Sequence, residues 1–474
     1  MSAESPFASL ASGPRIDYFG SGLSHFQAEP LMTRPGFEPE ALSDWEYELL
    51  RQLRRPSSRF SETALSGTFP NFLLHKHAYI RRSSELGQNM FRFSVDFSRL
   101  CPKAGEFDEQ LMAEYIRTLI LIKATGQEPF LTLHHYTMPR YLTEVDTNGS
   151  YHFGAWEHPQ VLDHFRFYIS SVMAFLSDRD KIAPILNEMN LAGLRERLLS
   201  GGLVQYFMTF NEPMVTPTAG YLAGLFPPYK SVDYLRAKRV VDMIVKAHGI
   251  ATNEIRNGLR SQSQEPKVGL GHNWSYYEGL FGPILQGLEE HFARRFETSG
   301  PTDFLGVHYY NRTKTFPPDL CRKLDYSDQP KFGDIYPAGL PKVAARMQHQ
   351  FPDKPLFVSE FGFSDEHDLR RPYWILETFR YILEAQKQGV PIKGVMIWTL
   401  VNNLEWDLGM SQKFGLFSES DLYSPLETST KGIRSWEVWQ AIIRAAVSPG
   451  PQELARLDTC YDRAKQQYEN YINS

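Results

Sequence analysis

Short apolar runs that turn into an amphipathic helix closed by glycine recur along this chain, and that alternation restricts the fold more than any other feature. One unit starts near Asp108. Leu111, Tyr115 and Leu119, with Met112, Ile116 and Ile120, recur at helical spacing, Gly126 ends the helix, and Phe130-Leu131-Thr132-Leu133 reads as a buried strand. A second unit passes through Leu376, Phe379 and Leu383 to Gly389, then Gly394-Val395-Met396-Ile397-Trp398. A third runs from Leu235 through Ile244 to Gly258, then Val268-Gly269-Leu270-Gly271. A helix between successive strands returns the chain to its starting edge, so the strands run parallel. The strand candidates number eight: 18–22, 90–94, 130–134, 204–210, 268–272, 304–308, 356–359 and 395–399. Eight parallel strands with outer helices predict an α/β fold, a (β/α)8 TIM barrel with loop insertions. An open doubly wound sheet is the alternative, weakened because no phosphate-cradling glycine-rich segment follows the first strand. No linker or short-period repeat divides the 474 residues, so 1–474 reads as one barrel domain. Residues 178–202 are long for a connection inside such a unit and are expected to hold an extra helix or loop.

Composition narrows the function. A net charge of −5 leaves no basic footprint, so nucleic acid is not an expected partner. The 14% aromatic content suits a pocket that covers flat apolar faces, although large cores also use such residues. Cys101, Cys321 and Cys460 are odd in number and widely spaced, which argues for a reducing compartment and against a disulfide framework. Residues 1–14 have neither the basic nor the apolar region of a signal peptide. No apolar run approaches the roughly 20 residues of a membrane span. A soluble cytoplasmic protein without a membrane partner is the expectation.

Residues just past the strands of such a barrel share one face. Here they are Gln27, Arg92, His135, Asn211 with Glu212, His272 with Asn273, Tyr310, Glu360, and Trp398 with Glu405 and Trp406. Amides, imidazoles, carboxylates and aromatics are what a neutral polyhydroxylated ligand needs. Thr209-Phe210-Asn211-Glu212-Pro213 and Val358-Ser359-Glu360-Phe361-Gly362 each deliver a glutamate from the end of an apolar run. Two such carboxyl groups are the minimum equipment for breaking a glycosidic bond. Taken singly, each residue has a plainer reading. A glutamate after a strand often serves a helix N-terminus, Arg92 could pair with Asp96, and Trp398 or Trp406 could simply pack. His134, His135, His25, His272 and His308 invite a metal site, but no HExxH spacing supports one and no metal is expected.

Together these segments resemble glycoside hydrolase family 1, the β-glucosidase and β-galactosidase family, from about Tyr18 to Ala446. Thr209–Pro213 is similar to its acid/base motif and Phe357–Gly362 to its nucleophile segment. Phe91-Arg92-Phe93-Ser94, Asp303–Gly306 with Tyr309-Tyr310, Ile335–Leu340, Trp398–Trp406 and Gln412–Leu416 add to the likeness. The resemblance implies a (β/α)8 barrel that needs no cofactor and acts on a small-molecule β-glycoside. It implies Glu212 as general acid/base and Glu360 as nucleophile, with Arg92 and Tyr310 flanking Glu360. It further implies that Gln27, His135, Asn211 and Glu405 hold the sugar hydroxyls, with Trp398 beneath the ring and Trp406 at its edge. A nucleophilic carboxylate must stay ionised, which a cation and a phenol donor both favour. The acid must stay protonated, which repulsion from a neighbouring carboxylate would encourage. A charged Glu405 would also repel a phosphate, which disfavours 6-phosphoglycosides.

The chain departs from the family pattern at Tyr136-Thr137, where Trp-Asp is usual, and at His308, where Asn is usual. Phe361 replaces Asn and Pro30 replaces Gly. The changes at His308 and Tyr136 are expected to act on the outer pocket, and so on the aglycone. The expected activity is retaining hydrolysis of terminal non-reducing β-D-glucosides, then galactosides or fucosides. A transglycosidase using the same two glutamates, or a non-catalytic sugar-binding relative, are the rival readings.

Overall fold

A computed structural model describes residues 5–29, 42–53, 70–191, 193, 202–260, 265–315, 335–429 and 432–473. Eight strands close a barrel: β1 (Tyr18–Gly22), β2 (Met90–Ser94), β3 (Glu128–Thr132), β4 (Tyr206–Asn211), β5 (Lys267–Asn273), β6 (Phe304–His308), β7 (Leu356–Phe361) and β8 (Ile392–Ile397). Each pairs in parallel with its neighbours in chain order, and β1 pairs with both β2 and β8 to seal the ring. The fold is therefore the (β/α)8 barrel, and the open-sheet alternative falls. All eight expected strands are present, with edges shifted: β3 ends at Thr132, so His134 and His135 lie beyond it, and β8 starts at Ile392.

The helices form where the spacing indicated. Asp108 caps the helix Glu109–Ala124 by accepting from the Leu111 amide at 2.9 Å, and Gly126 (φ 81°) carries the turn out of it. Its Met112, Tyr115, Ile116, Leu119 and Ile120 are buried against the outside of the barrel. Within 178–202, the helix Arg179–Glu188 is capped by Asp178 and tied to Glu109–Ala124 by the Lys181–Glu109 and Arg117–Glu188 ion pairs. The rest of that expected insertion (192 and 194–201), together with Pro30, Cys321 and residues 316–334, lies outside the described residues.

Inside the barrel, Met90, Phe130, Met208, Phe304, Phe357 and Met396 form an apolar layer closed by Tyr18 and Tyr206. Period-2 alternation then places Arg92, Thr132, Ser359 and Trp398 one pleat further toward the C-terminal mouth. Among the described residues no helix is long and apolar enough to cross a membrane.

Candidate active site

Glu212 directly follows β4 and Glu360 sits inside β7, and both strands slip register just before them. The shifts fall between Met208 and Asn211 against β5, and between Val358 and Glu360 against β6. Bulges of this kind re-aim side chains. On β4, Thr209 bonds outward to His248, Phe210 packs on Phe165 outside the barrel, and Asn211 turns in. On β7, Glu360 follows the inward Ser359, while Phe361 packs outward on Trp439. An oxygen of Glu212 and one of Glu360 therefore lie within 4.8 Å of each other.

The surroundings of the two carboxylates differ. Arg92 donates to Glu360 Oε1 at 2.6 Å and Tyr310 to Oε2 at 2.8 Å. Asp96, the alternative partner for Arg92, instead accepts from Ser98 and Thr137. Arg92 also bonds Thr132 Oγ1 at 3.0 Å and Asn211 Oδ1 at 2.5 Å, linking β2, β3, β4 and β7. Because arginine only donates, Asn211 Oδ1 is committed and Nδ2 is its remaining donor.

Glu212 is pushed up to about 6, with burial as the leading cause, opposed by hydrogen bonds from Tyr136 and Asn273 and by the charge of Arg92. The sequence reading assigned this rise to repulsion from the neighbouring carboxylate; desolvation is the stronger effect. Tyr136 donates to Glu212 Oε2, and His308 Nδ1 lies 2.9 Å from Oε1 and 3.5 Å from Glu360 Oε2. Burial lowers His308 to about 3, so its ring is neutral. Its Nε2 is buried without a protein partner, beside Gly271, where a Cβ would come within 2.7 Å of it. The proton thus belongs on Nδ1, facing Glu212. His308 and Tyr136 were expected to act on the outer pocket; both contact Glu212 directly. Their positions on β6 and after β3 hinted at the site, but no local pattern names the partner.

A cavity of about 280 Å³ covers this pair. Gln27, His135, Asn211, Glu212, Tyr310, Glu360, Trp398, Glu405 and Trp406 all line it, and Arg92 lies behind Glu360. The ring of His135 stacks on Trp398 and Trp406, both at 5.8 Å between centroids. Gly22 makes room for Trp398, since a Cβ there would meet the indole at 3.2 Å. Gln27 donates to Glu405 at 3.1 Å, while Gln27 Oε1 and His135 Nδ1 are buried with no protein partner, the atoms a sugar hydroxyl would satisfy. Glu212, Tyr136 and Trp406 hold left-handed backbone at φ 43°, 68° and 44°. Such conformations cost on the order of 1–3 kcal/mol each and concentrate at functional sites. Asn273, Phe226, Asp407, Leu408 and Phe414 also line the cavity; of these, the sequence placed Asn273 at a strand end and Phe414 in the family-like Gln412–Leu416 segment, and did not point to the other three.

Burial and the charges of Glu360 and Glu212 push Glu405 up to about 8. At neutral pH it is largely protonated and meets a hydroxyl as donor as well as acceptor. That corrects the expectation of a charged residue repelling phosphate. No Lys or Arg stands among the described residues lining the cavity.

Glu212, His308 and Glu360 are also the group of described residues whose ligand-type atoms come close enough to hold a metal ion. They come from the ends of three separate strands, Glu212 just after β4, His308 on β6 and Glu360 on β7, which no local spacing would reveal. Arg92 already sets a positive charge 2.6 Å from Glu360, and all four carboxylate oxygens have protein partners. We assign the trio no metal.

A parallel barrel carrying two facing carboxylates in a cavity of amides, indoles and an imidazole has the form of the sugar-cleaving barrel enzymes. The chain belongs to glycosyl hydrolase family 1, whose profile matches residues 71–201, 197–280 and 299–443, and the protein is a glycoside hydrolase. Beta-glucosidase A of Thermotoga maritima is 24% identical over 380 residues, spanning 70% of this chain and 78% of that protein. Galactolipid galactosyltransferase SFR2 of Arabidopsis thaliana is 25% identical over 363 residues, 71% of this chain and 52% of the other. The β-glycosidase from Pyrococcus horikoshii superposes with a TM-score of 0.67 at 22% identity, over 94% of this chain and 97% of that one, a likeness of fold.

Proposed function

We propose that this enzyme is a retaining β-glycosidase removing terminal non-reducing β-D-glucosyl residues from small glycosides, with galactosyl and fucosyl residues next in preference. The observation that carries the reading is the pair of carboxylates within 4.8 Å of each other in unlike surroundings. Retaining enzymes hold their carboxyl groups about 5–5.5 Å apart, whereas inverting enzymes leave roughly 6.5–9.5 Å for a water.

Glu360, matched to Arg92 and Tyr310, attacks the anomeric carbon. Glu212 gives its proton to the leaving oxygen, so the glycosidic bond breaks as the glycosyl ester forms. Glu212 is then a carboxylate whose charge Tyr136 and His308 both meet with a hydrogen bond. It takes a proton from water, the hydroxide equivalent attacks the anomeric carbon, and the ester bond returns its electrons to Glu360. Asn211 Nδ2 donates to the 2-hydroxyl, a contact that strengthens in the transition state. Gln27, His135 and Glu405 hold the other hydroxyls, Trp398 lies beneath the ring, and Trp406 bonds at its edge. We place this chemistry in a single-domain cytoplasmic enzyme that uses no cofactor.

A panel of aryl β-glycosides, with the product followed by NMR, tests the assignment. The β-anomer should appear first and mutarotate later; initial release of the α-anomer would overturn it. A second reading, transfer to an acceptor hydroxyl in place of water, draws on the printed name of the Arabidopsis galactosyltransferase relative. Rising acceptor concentration would then divert free sugar into a transfer product.

A further inference from the structure

Two positions at which this chain departs from its family's pattern converge on one carboxyl group. Tyr136 and His308 donate to different oxygens of Glu212, the phenol to Oε2 and His308 Nδ1 to Oε1 at 2.9 Å. Both donors are locked in place. Tyr136 holds left-handed backbone (φ 68°), with its ring edge-on to Trp406 at 4.8 Å and to His135 at 5.1 Å. Burial lifts its hydroxyl well above the usual phenol range, so it keeps its proton. His308 is fully buried and neutral, and its Nε2 edge fills the space that Gly271 leaves open, so the one ring proton stays on Nδ1.

Asn273 adds a third hydrogen bond to the same carboxyl group. The charged group nearest His308 on the other side is Glu360, with Oε2 at 3.5 Å, backed by Arg92 and Tyr310. In the free enzyme Glu360 carries the charge and Glu212 the proton. Once the glycosyl ester forms, Glu360 is neutral, and the only anion facing His308 is the nearer one, Glu212. Donors to both oxygens favour that charged form. The second step asks Glu212 to give the arrangement up. It must take a proton from the incoming O–H while that oxygen bonds to the anomeric carbon and the ester electrons return to Glu360. A carboxylate engaged at both oxygens is a weaker base for this task. Water feels the loss most, because an alcohol seated at the cavity mouth is held beside the reacting carbon by contacts of its own.

We infer that Tyr136 and His308 form a paired brace on Glu212 that prolongs the life of the glycosyl-enzyme and tilts its resolution from water toward acceptor hydroxyls. Both are positioning residues that act through Glu212. The inference deepens the transfer reading of the proposed function and rests on the roles given there to Glu212 and Glu360.

Stopped-flow release of phenols from a series of aryl β-D-glucosides tests it first on the unaltered protein. A burst of about one equivalent should precede a kcat that varies less than about twofold across the series, and glycerol should raise that kcat as glucosylglycerol forms. Absence of a burst, with kcat following the acidity of the phenol, would overturn the inference. Tyr136→Phe and His308→Asn should each speed deglycosylation about threefold relative to glycosylation and lower the ratio of transfer to hydrolysis. The acid limb of kcat, where the base Glu212 is lost to protonation, should move to higher pH in both. Equal slowing of the two steps with the limb in place would reduce both residues to packing and also overturn it. Infrared titration of the Glu212 carboxyl, assigned with Glu212→Gln, needs no turnover. Each variant should move its midpoint to higher pH, and an unmoved midpoint would remove the brace. A midpoint that moves in a protein that turns over no β-glucoside would keep the brace and sink the proposed reaction instead, so the two failures are distinguishable.

Discussion

The two ends of the barrel interior are built from the same eight strands and do opposite work. At the N-terminal end, Met90, Phe130, Met208, Phe304, Phe357 and Met396 fill the lumen with apolar side chains. One or two pleats further on, the inward positions become Arg92, Thr132, Asn211, His308, Glu360 and Trp398. The floor gains by removing apolar area from water, at roughly 25 cal/mol per Å². The roof buries a cation, amides and carboxylates that remain stable only because each meets a partner. Stability and chemistry are thus separated along the strand axis by a few ångströms.

That separation can be broken from either side, and the expected effects fall in order. Glu360→Gln should lower kcat by on the order of 10⁵-fold while the protein still unfolds cooperatively; stopped-flow and thermal melts read the two quantities. Activity within tenfold of wild type would end the assignment of Glu360. On the floor, Phe130→Ala should cost about 3–5 kcal/mol of stability by denaturant titration, with kcat of the folded fraction changed by less than tenfold. A loss of kcat as large as that of a roof variant would show that the two layers are not separate. The smallest effect is a shift in pH dependence. The alkaline limb of kcat/KM should lie near pH 6, where Glu212 loses its proton. The hydrogen bond from Tyr136 favours the ionised form of Glu212, so Tyr136→Phe should raise its pKa and move that limb to higher pH. A limb that stays in place or moves to lower pH would contradict this role for Tyr136.

Much of the roof was legible in the sequence because the residue types past each strand are so unlike ordinary turn residues. Gln27, His135, Trp398, Glu405 and Trp406 reached one cavity as expected. What could not be read was the phase. With Met208 and Phe357 facing in, strict alternation would turn Asn211 and Glu360, each three residues later, to the outside. The register slips on β4 and β7 bring them back. Those slips arise from pairing with neighbouring strands, which no stretch of a single strand encodes. Long-range contact also hid His308: its distance to Glu212 spans 96 positions of sequence. The cause of the raised Glu212 needed burial to be known, and burial is a property of the closed barrel.

The central claim is that Glu360 and Glu212 stand on opposite faces of the same anomeric carbon, one to bond to it and one to serve the leaving oxygen. Azide supplied to Glu360→Ala and to Glu212→Ala, each with an activated aryl β-glucoside, reads this directly from the anomer of the glucosyl azide formed. The α-azide is predicted from Glu360→Ala, where azide enters on the vacated face, and the β-azide from Glu212→Ala, where it opens the glycosyl ester. The same anomer from both variants would contradict the account.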